Sequence, residues 1–276
     1  MKEYLALVRD VLSNGVRKGD PQGVGNISVF VRTHRYLMSE GFPLITTRSL
    51  KGSWKALVHE LLWFLSGSSN VADLQKHGVH FWDQWGSEEI CARYGREVGD
   101  LGPIYGPQWV RWQKRDGALL NQISAVIDEI RRNPNSRRLI VTAWNPEDAD
   151  TVFIAPCHHI FKFYVVDGKL SLHLTQRSAD VLIGVPFNIA SYSLLLHMVA
   201  QVTGLVPHEF IHTTEDTHIY LDQIPFAGPQ LEREPRALPR VVINPEVQDI
   251  FRFRFDDFQL EDYRPHPAIK DIPVAL

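Results

Sequence analysis

The chain has 276 residues, with 29 Lys and Arg against 32 Asp and Glu for a net charge of −3, and 44% of its residues are hydrophobic. This average composition argues against general disorder, a collagen-like repeat and a strongly basic nucleic-acid-binding protein. The two cysteines, Cys91 and Cys157, form no disulfide framework, and Lys2-Glu3-Tyr4 begins no apolar signal core. We therefore expect a cytoplasmic protein.

The apolar periodicity predicts, in chain order, helix Tyr4 to Asn14, strand Ile27 to Phe30, helix Trp54 to Leu65, helix Gln122 to Ile130, strands Leu139 to Trp144, Ile160 to Val165 and Leu170 to Thr175, helix Ile189 to Val202, and strands Phe210 to Thr213 and Arg240 to Ile243. Asp167-Gly168 is the strongest hairpin signal. Helices and strands do not alternate regularly. This favours an α+β fold, a single domain over 1–276 with a mixed or antiparallel sheet packed with helices. No apolar run approaches the ~18 residues that span a membrane.

Two segments carry reactive acids in unusual surroundings. Glu60 lies in a helix that is apolar almost all round, so its carboxylate must be paired, solvated by a pocket, or protonated. Cys157 stands between Pro156 and His158, where a nearby cation would make it a nucleophile. The alternative is a small buried hydrophobic residue. A Cys2His2 metal site fails on spacing, so we expect no metal.

Polar and aromatic side chains elsewhere suit a nucleotide. Arg137 and Arg138 match phosphate geometry, although such pairs are also common at solvated corners. Asn188 precedes a very apolar helix, where it either caps the helix or recognises a base edge. Trp82 and Trp85 are either stacking surfaces or ordinary aromatic core. His218 and Tyr220 point the same way if the backbone is extended, and Gln176 to Asp180 is a mostly polar strand end. Together these features suggest a nucleotide-modifying enzyme.

The whole chain resembles the folate-dependent thymidylate synthases that use a cysteine nucleophile. The resemblance is carried by Gly41 to Leu44, His59 to Leu65, Leu101 to Gly106, Ser136 to Arg138, Ala155 to His158, Gln176 to Asp180, Val185 to Tyr192, Asp216 to Tyr220 and Pro273 to Leu276. It implies a thymidylate synthase-like fold, an obligate homodimer, and reductive methylation of dUMP to dTMP by 5,10-methylenetetrahydrofolate, which releases dihydrofolate.

The resemblance also implies residue roles. The catalytic set is Cys157, Glu60, Tyr105, His158, Asn188, Asp180 and Arg177. The dUMP set is Arg137, Arg138, Gln176, Arg177, Ser178, Ala179, Asp180, Asn188, His218, Ile219 and Tyr220, with Arg137 and Arg138 donated by the partner subunit. The folate set is Trp82, Trp85, Asp180, Gly184, Phe187 and Ala275. Cys157 adds to carbon 6 of uracil as a thiolate, which Arg177 should favour. In cytosine-modifying relatives an acidic residue tends to replace Asn188.

Three segments depart from the family pattern. The phosphate loop, usually Asp-Arg-Thr-Gly, is Asp20-Pro21-Gln22-Gly23 and lacks one arginine, which predicts weaker nucleotide binding unless Arg17, Lys18 or Arg32 replaces it. The segment from Thr47 to Trp54 is about two residues longer than in the family pattern, so Arg48 or Lys51 is a candidate for the folate tail. Residues 88–99 look like an insertion, with a surface loop as the simplest interpretation.

Three other functions compete. A pyrimidine-nucleotide hydroxymethylase on the same scaffold would let water capture the one-carbon unit and release tetrahydrofolate. A non-catalytic nucleotide- or RNA-binding regulator would keep the scaffold without the chemistry, but the net charge gives RNA binding no electrostatic support. A cysteine hydrolase rests on the Cys157-His158 pair alone.

Overall fold

The computed structural model describes residues 1–275 and is built on a six-stranded sheet. The helices are α1 (Lys2–Asn14), α2 (Trp54–Ser66), α3 (Ala72–Gln75), α4 (Glu88–Arg93), α5 (Tyr105–Val110), α6 (Gln122–Arg132), α7 (Gly184–Thr203) and α8 (Ile224–Leu231). The strands are β1 (Val16–Lys18), β2 (Asn26–Leu37), β3 (Trp112–Gln113), β4 (Leu119–Leu120), β5 (Ile140–Thr142), β6 (His158–Val166), β7 (Lys169–Asp180), β8 (Val206–Tyr220), β9 (Arg240–Ile243) and β10 (Phe258–Glu261).

The main sheet has the order β1-β2-β8-β7-β6-β5, and two small hairpins pair β3 with β4 and β9 with β10. Only the β7–β8 pair of the main sheet is parallel. These two strands are connected through α7, because parallel neighbours need a long crossover. The mixed α+β architecture with helices against the sheet is therefore confirmed, and the parallel pair is the part that periodicity did not specify.

The β6–β7 hairpin turns at Asp167 and Gly168, whose φ angles are 49° and 71°. Two consecutive positive φ values suit the right-handed twist of the strands on either side, which is why an Asp-Gly pair is favoured there. The hairpin prediction is confirmed. The strands themselves are longer than predicted, since ladder hydrogen bonds continue through polar residues that the apolar pattern excluded.

Helix α7 passes behind the centre of the sheet and is buried on nearly every side. It is the one helix within residues 1–275 that is long and apolar enough to cross a membrane, and 78% of its most apolar window is buried inside the protein. The expectation that no segment reaches that length was wrong. The physical reason is that a helix enclosed by its own protein needs no charged face.

Candidate active site

Three strand ends converge at one edge of the sheet. Cys157 precedes β6, whose His158 lies opposite Gln176 of β7, and Asp180 at the end of β7 lies opposite His218 of β8. This register brings together residues that are far apart in sequence. The sheet backbone therefore fixes the spacing of the site, which loop segments alone would leave adjustable.

Cys157 is half-buried, and the guanidinium of Arg177 lies beside it. Arg177 Nη2 is 3.9 Å from the sulfur and donates to the carbonyl of Ala155 at 2.7 Å, while its Nε donates to the carbonyl of Pro156 at 3.0 Å. Burial raises the pKa of the thiol, and the charge of Arg177 opposes that rise without cancelling it. The expected stabilisation by Arg177 is present, but the thiolate is not the favoured form of the free protein.

Tyr105 and His158 form a stacked pair next to the cysteine, with ring centroids 4.0 Å apart. The Tyr105 hydroxyl accepts a hydrogen bond from the backbone N–H of Cys157 at 2.8 Å, and His158 Nδ1 lies 2.7 Å from the hydroxyl of Tyr192. Burial lowers the pKa of His158 to about 3. The imidazole is therefore neutral at physiological pH and supplies no positive charge to the thiol.

Asn188 lies inside α7, which begins at Gly184, so the helix-capping alternative was wrong. Its Oδ1 accepts from Gln176 Nε2 at 3.1 Å, and Gln176 Oε1 lies 2.9 Å from His212 Nε2. Gln176 Nε2 also donates to the carbonyl of Ser178 at 2.9 Å. Because Gln176 is buried and bonded on both sides, it holds the Asn188 carboxamide in one orientation.

Glu60 projects from α2 toward an aromatic group and accepts a hydrogen bond from the indole Nε1 of Trp82 at 2.7 Å. Burial raises its pKa to about 7, and the bond from Trp82 opposes that rise. This confirms the expectation from its apolar helix. The carboxyl group can therefore give or take a proton near neutral pH.

The other aromatic residues form a wall beside Glu60. The Trp82 ring is 5.2 Å from Trp85 and 6.2 Å from Tyr105, in edge-to-face arrangements. Trp82 is almost fully buried, so it is both core and wall, whereas Trp85 and Phe187 are half-buried. A Cβ built on Gly184 would meet only the Asn188 Oδ1 at 3.5 Å, and Ala275 is half-buried in the C-terminal segment.

Asp180 connects the strand ends to this segment. Its Oδ1 accepts from the backbone N–H groups of Leu182 and Ile183, both at 3.0 Å, and its Oδ2 accepts from Gln223 Nε2 at 2.8 Å. Burial raises the pKa of Asp180, while the hydrogen bond from Gln223 opposes that effect. Three donors fix the plane of the carboxylate.

His218 and Tyr220 lie on the same side of β8, with ring centroids 4.9 Å apart, as the extended backbone predicted. The side chains of Ala179 and Ile219 are fully buried, so they present only backbone groups to a ligand. Ser178 is half-buried beside Arg177. Arg137 and Arg138 are exposed ahead of β5, and within residues 1–275 neither guanidinium forms a hydrogen bond to the Cys157 group.

Comparison with known families decides what this arrangement belongs to. A family model described as Thymidylate synthase matches residues 2–275. The chain belongs to the thymidylate synthase family. Members of this family are methyltransferases that act on dUMP with methylenetetrahydrofolate, and the family includes related variants.

The phosphate loop that departs from the thymidylate synthase pattern, residues 20–23, is held by a hydrogen bond within its own segment. Asp20 closes it by accepting from the backbone N–H of Gly25 at 2.5 Å. Of the three nearby cations, Lys18 is paired with Asp216 and Arg32 with Asp10, while Arg17 is exposed on β1. Two of the three candidates for replacing the missing arginine are thus already engaged.

The structure separates the two candidates for the folate tail and corrects the interpretation of the insertion. Arg48 is buried and donates to the carbonyl of Leu182, so it cannot extend into solvent toward a folate tail, whereas Lys51 is exposed. The insertion contains α4 and buries Cys91, whose sulfur lies 3.5 Å from the carbonyl of Asp100. The surface-loop interpretation was therefore wrong for this part, because the Ile90 and Cys91 face packs toward Trp82 and Trp85 around a small cavity.

Sequence reasoning missed two side chains of the site, Tyr192 and Gln223. Tyr192 lies in a motif already singled out, and its hydroxyl was the available signal because it is a polar group in the middle of a largely apolar helix. Gln223 gave no signal, since an isolated glutamine after a strand is ordinary in sequence. Only its contacts reveal it.

Proposed function

We propose that this chain is a single catalytic domain over 1–276 that converts dUMP to dTMP by reductive methylation and releases dihydrofolate. The observation that carries the proposal is the continuous set of contacts from Arg177 through Cys157 and Tyr105 to Trp82 and Glu60. This set links the proposed nucleophile, Cys157, to Glu60, whose pKa is raised to about 7. That combination suits addition to a pyrimidine ring followed by proton transfer.

Cys157 is the proposed nucleophile. Its thiolate forms a C–S bond to carbon 6 of uracil, which makes carbon 5 nucleophilic. Since burial raises the pKa of the thiol, the reacting thiolate must be formed within the complex. The Arg177 guanidinium, held in place by two backbone carbonyls, is positioned to stabilise that negative charge.

Asn188 is the proposed recognition residue for the uracil edge. Its Oδ1 already accepts from Gln176, which orients the carboxamide and supports a role of the Nδ2 group as a donor to a uracil carbonyl. A cytosine ring would offer an amino group at that edge, and two donors would face each other. This supports a uracil substrate.

His218 and Tyr220 are proposed to bind the ribose, and Arg177 and Ser178 the phosphate. The backbone groups of Ala179, Asp180 and Ile219 complete the nucleotide side. The phosphate also takes Arg137 and Arg138 from the second subunit. Arginine suits phosphate because its planar guanidinium donates two parallel hydrogen bonds.

Glu60 is the proposed general acid and base, with Tyr105 and His158 as its proton-transfer neighbours. A carboxyl group with a pKa of about 7 holds and releases a proton with similar ease at physiological pH. The low pKa of His158 leaves it neutral, so it acts through hydrogen bonding to Tyr192 rather than through charge.

The residues present fit a folate. Trp82, Trp85 and Phe187 supply aromatic surface, Asp180 supplies a carboxylate that accepts hydrogen bonds, and a Cβ at Gly184 would meet the Asn188 Oδ1 at 3.5 Å. A pterin presents a flat face and N–H donors, which match this set. Methylenetetrahydrofolate supplies the one-carbon unit and the hydride. Ala275 and the segment before it would cover the bound pterin and exclude water.

A symmetric homodimer is part of the proposal. The sheet face opposite α7 leaves apolar side chains such as Leu37, Ile140 and Tyr164 exposed. An isologous contact through this face would cover them. Arg137 and Arg138, which lie beside β5, would then reach the second site. A cytoplasmic location is consistent with two free cysteines.

Mixing two inactive variants tests the dimer. Cys157→Ala and the double variant Arg137→Ala, Arg138→Ala would each lose activity as homodimers. Random exchange of subunits would restore about a quarter of wild-type activity, because half of the dimers gain one intact site of two. A mixture that stays inactive after verified subunit exchange contradicts the shared site.

The reaction is tested by mixing the purified protein with dUMP and methylenetetrahydrofolate, following dihydrofolate by absorbance and identifying the nucleotide by mass. We expect dTMP and dihydrofolate in equal amounts. A hydroxymethyl product with tetrahydrofolate would instead assign a hydroxymethylase. No product from dUMP at saturation, followed by none from dCMP, would contradict catalysis.

A further inference from the structure

Gln223 is a fully buried glutamine between the end of β8 and the start of α8. Its carboxamide makes three hydrogen bonds in different directions. Nε2 donates to Asp180 Oδ2 at 2.8 Å and to the backbone carbonyl of Pro273 at 3.0 Å, and Oε1 accepts from the backbone N–H of Tyr220 at 3.3 Å. Each bonding group of a primary amide is therefore used.

These partners determine which side chain can stand at position 223. A carboxylate and a carbonyl both accept hydrogen bonds, so the atom facing them must carry two N–H donors, and the atom facing Tyr220 must accept. A glutamate has the same shape but would place a second negative charge against Asp180. A methionine has similar size but bonds to none of the three.

The hydrogen bond to Pro273 holds the C-terminal segment, residues 270–275, against the rest of the protein. Within the part of the chain that the structure describes, it is the one hydrogen bond that ties these six residues to the rest of the protein. Ile272 adds a partly buried apolar contact with the core. The docked position of the segment thus depends on the same NH2 group that holds Asp180.

We propose that Gln223 is a positioning residue that couples docking of residues 270–275 to the orientation of the Asp180 carboxylate. The inference rests on the proposed function, in which Asp180 and the C-terminal segment bind folate. Because one NH2 group serves both partners, movement of the segment removes one of the two acceptors that orient this group, so its bond to Asp180 is held less firmly. A misplaced Asp180 carboxylate weakens the bond to Pro273 in the same way. Folate binding and docking of the segment are then favoured together.

Gln223→Met tests the proposal, with Gln230→Met as its matched control. Gln230 is also a buried glutamine, in α8, but it bonds to Thr47 and to neither Asp180 nor Pro273. The first readout is trimming of the C-terminus by carboxypeptidase in the free protein. We expect trimming to speed up about tenfold in Gln223→Met, since one bond tethers the segment, and to stay at the wild-type rate in Gln230→Met.

The second readout separates the two substrates. We expect the KM for folate to rise about tenfold in Gln223→Met, because the two donor bonds that are lost, to Asp180 and Pro273, lie on the folate side. The Kd for dUMP should change less than about twofold, because the third bond involves the backbone N–H of Tyr220 and not its ring. Gln223→Asn, which keeps the amide but shortens its reach, should show both effects if Gln223→Met does not fold. Gln223→Glu should be worse than Gln223→Met because of the charge of Asp180.

The proposal would be overturned by a folded Gln223→Met protein whose trimming rate and folate KM equal those of the wild type. Equal effects in Gln230→Met would also overturn it. Wild-type behaviour of Gln223→Glu would also contradict it. If the wild-type protein forms no dTMP, the proposed function fails on its own. Trimming rates and folate binding, measured by tryptophan fluorescence, would then still decide the coupling.

Discussion

The two sides of the candidate site are held in different ways. On the nucleotide side, the β6–β7 register fixes Cys157 and Arg177, and Arg177 also donates to two backbone carbonyls. Asn188, on α7, accepts a hydrogen bond from Gln176. On the aromatic side, Glu60 has a single side-chain hydrogen bond within residues 1–275, from Trp82, and is otherwise positioned by the packing of α2. Hydrogen bonds position the side chains on the nucleotide side, and apolar packing positions Glu60 on the aromatic side.

This difference determines how two acids whose pKa values are both raised by burial behave. Burial raises the pKa of both Cys157 and Glu60. The Arg177 guanidinium opposes that rise at the thiol, whereas at Glu60 the hydrogen bond from Trp82 opposes it. The guanidinium allows a negative charge to form at Cys157 during reaction. The enclosure of Glu60 instead makes protonation and ionisation nearly balanced at neutral pH, which suits repeated proton transfer.

The largest expected effect is loss of the nucleophile. Cys157→Ala should lower kcat at least about 10⁴-fold, because no neighbouring group can replace the covalent step. The measurement is dihydrofolate formation at saturating substrates. Cys91→Ser is the matched control, since Cys91 is buried in α4 but only donates to the carbonyl of Asp100. Retained activity in Cys157→Ala would mean that Cys157 is not the nucleophile.

Glu60→Gln tests the aromatic side. We expect kcat to fall about 10³-fold, because an amide keeps the shape but cannot exchange a proton. The dUMP Kd, measured by calorimetry, should change less than about twofold, since Glu60 lies on the other side of the cleft. Exposed Glu88 in α4 provides the control variant Glu88→Gln. Equal kcat in Glu60→Gln and wild type would show that enclosure serves stability alone.

The same substitution should change how stability depends on pH. The folded-state pKa of Glu60 is raised from 4.5 to about 7, so between these values the folded state binds more protons than the unfolded state. The free energy of unfolding therefore falls as pH rises through this window, with a contribution on the order of 3 kcal/mol. Glu60→Gln should lose that slope in urea titrations from pH 4.5 to 8, while Glu88→Gln keeps it.

Restoring the arginine that the phosphate loop lacks tests how the nucleotide side binds phosphate. Pro21→Arg should lower the Kd for dUMP about tenfold, because one charge-assisted bond contributes about 1.5–3 kcal/mol. The affinity gain should shrink as salt increases. Pro245→Arg adds the same charge at another exposed proline and should leave the Kd unchanged. An unchanged Kd in Pro21→Arg would mean that Arg17 already supplies the missing contact.

The sequence predicted most elements because local chemistry sufficed for them. Gly15 follows α1, Asp167-Gly168 forms the turn of the β6–β7 hairpin, and an apolar helix around Glu60 raised its pKa as expected. The full lengths of the strands were harder to predict from the sequence. Residues such as Arg32 and Glu209 join the ladder because neighbouring strands offer hydrogen bonds, whatever their own preference.

The tertiary structure alone decided how distant segments meet. It paired β7 with β8 in parallel, it turned Arg48 inward to Leu182, and it placed Gln223 between Asp180 and Pro273. Each depends on contacts across long stretches of chain, for which an isolated residue carries no signal. The sequence by itself determined the motifs, the family resemblance and the local periodicity, because those depend on neighbours along the chain. The balance between burial and charge at Cys157 was set only when the fold buried the thiol and brought Arg177 beside it.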